Sequence, residues 1–155
     1  MWSLKLWNKD FTLVIIGQII SLFGNAILRF ALPLYLLDIT GSSTIYGAVL
    51  ACSTIPMILL SPIGGILADR VNKRNIMVTL DFFTSLIILI FSICLGKMDA
   101  IILILSTMVI LYAIQGAYTP TVQSSIPSLV NTEHLLGANA VVNQVNSLSG
   151  ILGPV

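Results

Sequence analysis

Four apolar runs, each long enough to cross a lipid bilayer, most constrain what this chain can fold into. A spanning helix needs about 20 mostly apolar residues. The runs cover Phe11–Leu37, Tyr46–Ala68, Ile76–Leu95 and Ala100–Tyr118, the last with room to continue to Gln123. A fifth begins at Gly137 and reaches Val155. The turns between them are short: Asp38 to Ser43, then Asp69 to Asn75, then Gly96 to Asp99, then a polar stretch holding Pro127, Asn131, Thr132, Glu133 and His134. Strands of a membrane barrel would be about ten residues long with alternating polarity, and these runs are too long and too uniform. Of the 155 residues, 57% are hydrophobic and 8% charged, against about 25% charged in a soluble domain. Such a chain cannot clothe a globule in polar groups, so lipid is its expected solvent.

Lys5 and Lys9 before an apolar run resemble the start of a secretory signal. The run is far longer than the roughly 7–15 residues of a signal core, and no small-residue cleavage site follows. A retained first helix is therefore expected. Lys5, Lys9, Arg70, Lys73 and Arg74 fall on one side of the membrane, and Lys97 alone on the other. Basic residues in short loops mark the cytoplasmic side, which places the N-terminus and the 69–75 loop inside. A net charge of +1 leaves no nucleic-acid footprint. Cys52 and Cys94 lie within apolar runs and read as packing residues, not a disulfide. One histidine without companions predicts no metal site, and no cofactor motif is present. No enzyme constellation is visible, and His134 beside Glu133 reads as a solvated turn.

Polar groups inside a membrane are costly and usually face a bundle interior or a wet cavity. In the first helix Gln18, Ser21, Asn25 and Arg29 share an arc of about 80° at 100° per residue. Arg29 could snorkel to the outer interface, or line a cavity with Gln18 and Asn25; the alignment favours the cavity. In the third helix Asp81, Thr84, Ser85 and Ser92 share a face, with a loop partner as the alternative for Asp81. In the fifth, Asn139, Asn143, Asn146 and Gly150 recur at four, three and four, a row that could also bond between helices. Gly47 with Ala51, and Gly64 with Ala68, have the spacing that lets helices approach closely. Pro33, Pro56 and Pro62 would bend the first two helices.

The stretch Gly65-Ile66-Leu67-Ala68-Asp69-Arg70-Val71-Asn72-Lys73-Arg74 resembles the signature loop of the major facilitator superfamily, G-x-L-a-D-R-x-G-R-[RK]. It lies where that family carries it, between helices two and three on the cytoplasmic side. Asn72 stands for a glycine and is expected to keep the turn by tolerating a left-handed conformation. Lys73 stands for an arginine and keeps charge without the bidentate fork. Ser149 to Pro154 looks like the start of the Gly-Pro motif in helix five of the family's antiporters, with Gly150, Gly153 and Pro154 as its members. Pro120 to Asn139, with Pro127 and Ala138-Asn139-Ala140, looks like the link between helices four and five in the macrolide and multidrug efflux branch. The helix-four motif R-x-x-Q-G reads Tyr112-Ala113-Ile114-Gln115-Gly116, so Tyr112 occupies the position of the arginine tied to proton coupling. Asp81 or Arg29 could take that role.

The resemblance implies an all-α membrane protein, the incomplete N-terminal six-helix half of a major facilitator fold with about five transmembrane helices. Residues 1–155 would be one N-terminal helical domain cut off in helix five. It implies a secondary transporter in the cell membrane, not an enzyme, that drives efflux of drugs such as macrolides on the proton gradient by alternating access. Its partners would be the lipid bilayer, a small-molecule substrate, protons and the missing C-terminal half. In the family the loop aspartate, here Asp69, meets a helix N-terminus of the other half, with Arg70 and Arg74 paired to nearby carboxylates, as a cytoplasmic latch. Gln18, Asn25, Arg29, Asp81, Tyr112, Gln115 and Asn143 would line the substrate or proton path. The residues alone leave two rivals: a complete four-helix multidrug exporter, which would be expected to carry a glutamate in helix one, and a non-transporting membrane scaffold.

Overall fold

A computed structural model describes residues 9–152 of the chain. In order along the chain stand α1 (Lys9–Thr40), α2 (Ser43–Arg70), α3 (Lys73–Cys94), α4 (Ala100–Leu129), a single 3-10 turn (Thr132–His134) and α5 (Leu135–Leu152). There is no strand among the described residues. The first four helices are long and apolar enough to cross a membrane. Helix is the form such runs must take in lipid, where every backbone N–H and C=O needs a partner within the segment.

The ends are set by local chemistry. α1 stops at Gly41, whose φ of 62° places it in the left-handed region while its amide bonds back to Leu37 O at 2.8 Å. Ser42 caps α2 by accepting from Ile45 N at 3.3 Å. Asn72 caps α3, accepting from Arg74 N at 3.0 Å. Asp99 accepts from Ile101 N and Ile102 N at 3.0 and 3.1 Å at the start of α4. These side chains satisfy amides that a helix start leaves without intrahelical partners.

α4 runs well past the expected end near Tyr118 or Gln123. Pro120 and Pro127, read above as part of a link, both lie within the helix. Pro120 has no N–H for the Gly116 carbonyl. Around it, the Thr119 hydroxyl donates to Gln115 O at 3.1 Å and the Thr121 hydroxyl to Ala117 O at 2.8 Å. Hydroxyl back-bonds of this kind let a membrane helix carry a proline.

The helices fall into two compact units, one of residues up to 28 with those from 123 onward, the other Arg29–Val122. In the first, α1 buries Phe11, Ile15, Gln18 and Leu22, α4 buries Ser125 and Ile126, and α5 buries Ala138, Val142, Val145 and Ser149. Each set recurs at three or four residues, the helical period. In the second, α4 is the most enclosed element, burying Leu103, Ile104, Thr107, Met108, Leu111 and Gln115. α3 is the least enclosed, with Ile76 its one buried residue and Phe82, Phe83 and Leu89 exposed. An apolar face of that kind fits lipid.

α2 and α4 meet at backbone distance. A Cβ added to Gly64 would stand 2.5 Å from Ala117 Cα, and one added to Gly116 2.5 Å from Met57 O. Met57 and Gly64, two turns apart on α2, thus straddle Gly116–Ala117. The Gly64–Ala68 pair is used as expected, with Ala68 also buried. The Gly47–Ala51 pair is not: both are exposed, and a Cβ on Gly47 would meet nothing within 4 Å.

Candidate functional site

Arg29 and Tyr112 come together within the Arg29–Val122 unit. The guanidinium carbon of Arg29 lies 5.6 Å from the centre of the Tyr112 ring. That is within the range over which a cation is attracted to an aromatic face. Helix rise sets the depth. Arg29 stands 11 residues before the end of α1, about 17 Å along the axis, and Tyr112 is 12 residues into α4, about 18 Å. Both ends lie on the membrane side opposite the N-terminus, so the two residues stand at one level by chain geometry. The Arg29 side chain therefore lies over a ring near the middle of α4.

Below Tyr112 the same face of α4 carries Gln115 and Thr119, three and seven residues on. Gln115 is buried, and its Nε2 donates to Thr119 Oγ1 at 2.9 Å. Thr119 was not singled out in the sequence; its spacing from Gln115 was the available signal. Gly116, next to Gln115, admits the α2 backbone. The Q-G pair of the helix-four motif thus holds a polar side chain and a helix crossing, and the cation beside Tyr112 belongs to α1.

In the other unit Gln18 is 3% exposed, and its Oε1 has no hydrogen-bond partner among the described residues. Asn25 is half-buried. On α5 the packed stripe is Ala138, Val142, Val145 and Ser149, and the asparagine row lies beside it. Asn139 and Asn143 are exposed and Asn146 half-buried, with Asn139 Nδ2 donating to Leu135 O at 2.9 Å. Gly150 is exposed, and a Cβ there would meet nothing within 4 Å. Gly153 and Pro154 lie outside the described residues.

The charged loop is tight. Asp69 and Arg70 are the last residues of α2, and Lys73 and Arg74 the first of α3. Asp69, Arg70 and Arg74 are exposed and Lys73 half-buried. The expected left-handed turn at Asn72 is not found: its φ is −61° and ψ 114°, an extended conformation. The chain passes from helix to helix through two extended residues, Val71 and Asn72, and Asn72 acts through its side chain as a cap. Gly65, unlike Gly64, has open space where a Cβ would be. Among the described residues Asp69, Arg70 and Arg74 make no ion pair, so the expected pairing with nearby carboxylates is absent there. Asp81 is half-buried on α3, and the neighbouring Thr84 and Ser85 hydroxyls donate to the backbone of their own helix, to Leu80 O and Asp81 O. No cluster of three metal-ligating side chains occurs among the described residues.

With this geometry in view, similarity to known proteins becomes informative. The chain is 26% identical over 149 residues to macrolide efflux protein A of Streptococcus pyogenes, covering 96% of this chain and 37% of that protein. It is 25% identical over 140 residues to the uncharacterized MFS-type transporter YvqJ of Bacillus subtilis, covering 89% of this chain and 33% of that one. The chain thus spans about 37% or less of the length of these relatives. No solved structure matches it significantly. The sequence model described as Major Facilitator Superfamily matches residues 14–155, nearly the whole chain, and the chain belongs to that family of multi-pass membrane transporters.

Proposed function

We propose that the chain is the N-terminal portion of a secondary active transporter that exports drugs such as macrolides, driven by the proton gradient through alternating access. It sits in the plasma membrane with the N-terminus and the 69–75 loop in the cytoplasm. The observation that carries this reading is the Arg29–Tyr112 stack at mid-span depth. A guanidinium inside a bilayer is costly, and a scaffold has no use for one there. The similarity to macrolide efflux protein A supports the substrate class. The path runs between two halves in such transporters, so a C-terminal half is a required partner.

Asp69 in this reading is a latch. Exposed at the end of α2, it offers a carboxylate to a helix N-terminus of the other half, an attraction of about 0.3–1 kcal/mol. Such a bias is enough to shift an equilibrium between inward-open and outward-open states. The test is efflux of a macrolide from energised cells carrying the full-length protein, with and without a protonophore. Asp69→Asn, which keeps size and removes charge, should insert at normal levels and export more slowly. Efflux that is absent in the wild type, or indifferent to the protonophore, would refute the exporter or the proton coupling respectively.

A further inference from the structure

We infer that α4 carries a two-position bend at Pro120, set by the side chain of Gln115 through the hydroxyl of Thr119, and that the two positions belong to the two access states of the transporter. The inference rests on the transport reading above and adds to it an element that moves.

Three observations carry it, on residues of the Arg29–Val122 unit. The first is a gap in the helix ladder. Pro120 lies inside α4 and has no N–H to give to the Gly116 carbonyl, and no side chain among the described residues donates to that carbonyl. The second is a clasp laid over the gap. Gln115 Nε2 donates to Thr119 Oγ1 at 2.9 Å, and Thr119 Oγ1 donates to Gln115 O at 3.1 Å. A threonine hydroxyl in a helix can serve the carbonyl three or four residues back. Both choices occur along α4. Ser106 and Ser128 donate to the third carbonyl back, Leu103 O and Ser125 O. Thr107 and Thr121 donate to the fourth, Leu103 O and Ala117 O. For Thr119 the third carbonyl back is Gly116, the one that Pro120 leaves open. The Gln115 amide holds the hydroxyl on the fourth instead. The third observation is a clamp. Gly116 and Ala117 lie against the α2 backbone at Met57 and Gly64, with no room for a Cβ at either glycine. The part of α4 before the proline is thereby fixed to α2, so a bend at Pro120 moves the part after it.

With the clasp closed, Thr119 serves Gln115 O and the Gly116 carbonyl stays open. With Gln115 turned away, the hydroxyl swings to the Gly116 carbonyl and fills the gap. Prolines and back-bonded hydroxyls both bend helices, so moving one hydroxyl by one carbonyl changes the angle at which α4 leaves α2. Gln115 and Thr119 are positioning residues in this scheme, and neither has to touch the solute.

The experiment uses the full-length transporter with its native cysteines replaced and spin labels at Leu67, on α2, and Ser128, beyond the proline on α4; both positions are exposed. Electron spin resonance of the pair in lipid nanodiscs gives the distance distribution. Erythromycin export from energised cells gives the rate at matched membrane levels. Two distances are expected in the wild type. Gln115→Leu removes the amide and should change their ratio by about threefold or more. Pro120→Ala supplies the missing N–H, and in that background Gln115→Leu should leave the ratio alone. Thr119→Val should slow export by about fivefold or more, while Thr119→Ser, which keeps the hydroxyl, should stay near the wild type. A packing role for Gln115 would shift the ratio equally with and without Pro120, and that result would overturn the inference. So would a single distance in the wild type, an unchanged ratio in Gln115→Leu, or normal export by Thr119→Val. A wild type that exports no erythromycin yet keeps the Gln115–Pro120 coupling would refute the transport reading and leave the bend standing.

Discussion

Asn72 and Gln18 show how much turns on where one amide side chain points. Asn72 is a helix cap, not a left-handed turn residue, and the two roles predict opposite rankings of variants. A left-handed turn would be improved by glycine. For a cap, Asn72→Ala should cost about 1 kcal/mol and Asn72→Gly only a few tenths, with Asn72→Asp near neutral. Thermal unfolding of the detergent-extracted protein should give that order, and a glycine variant more stable than the wild type would restore the turn. Gln18 presents the converse case. Its Oε1 is buried without a partner among the described residues, and an unsatisfied buried acceptor costs about 1–3 kcal/mol. Gln18→Met keeps the length and removes the polar group. It should raise the unfolding temperature while slowing export, the pattern of a residue retained for transport at the expense of stability. Faster unfolding together with normal export would mark Gln18 as a packing residue only. The sequence marked both positions, but a cap and a left-handed turn draw on the same residue type, and only the backbone angles separate them.

At the scale of helices, the α2–α4 crossing is the joint that fixes Tyr112 and Gln115 in place. Gly116 and Gly64 leave no room for a Cβ against Met57 O and Ala117 Cα. Gly116→Ala therefore forces the helices apart, and overpacking of this kind costs about 1–3 kcal/mol. Gly17 and Gly24 on α1 have open space where a side chain would go, so alanine there should be silent or slightly stabilising. The yield of folded protein after detergent extraction should fall for Gly116→Ala and hold for Gly17→Ala. Equal yields would mean that α4 can shift without consequence. The existence of α1 to α4 was legible in the sequence because lipid demands long unbroken apolar runs, and no other folded form satisfies their backbones. The end of α4 was not. Pro120 and Pro127 read as punctuation, as they would in water, yet the Thr119 and Thr121 hydroxyls keep the helix going past the first of them. Nor was the Arg29–Tyr112 stack legible. Periodicity orders residues around one helix but does not say which face of another helix they meet.

For the whole molecule, the decisive feature is polar surface that lipid cannot cover. α5 turns Ala138, Val142, Val145 and Ser149 inward and leaves Asn139 and Asn143 exposed, while the chain spans about 37% of the length of macrolide efflux protein A. Apart from the Asn139 bond to Leu135 O, primary amides facing hydrocarbon would lose their water partners without gaining others, a cost of several kcal/mol per group in the limit of no compensation. In a complete transporter that face would meet the substrate path or the other half. Residues 1–155 expressed alone should therefore enter the membrane, since α1 to α4 are sufficiently long and apolar. They should not export solute, and they should self-associate or be degraded as copies bury one another's polar faces. The orientation can be read in the same cells. With Cys52 and Cys94 replaced, a cysteine at Asn72 should react with impermeant thiol reagents only from the cytoplasm, and one at Met98 only from outside; both sites are exposed. On the proposed reading, supplying a C-terminal half as a second chain should restore both a monodisperse complex in detergent and export. Substituting Asn139 and Asn143 together by leucine should make the isolated fragment more persistent in the membrane, because the exposed face then suits lipid, and should abolish rescue by the second chain. Export by the isolated fragment would instead revive the four-helix exporter, with α5 as an accessory to it.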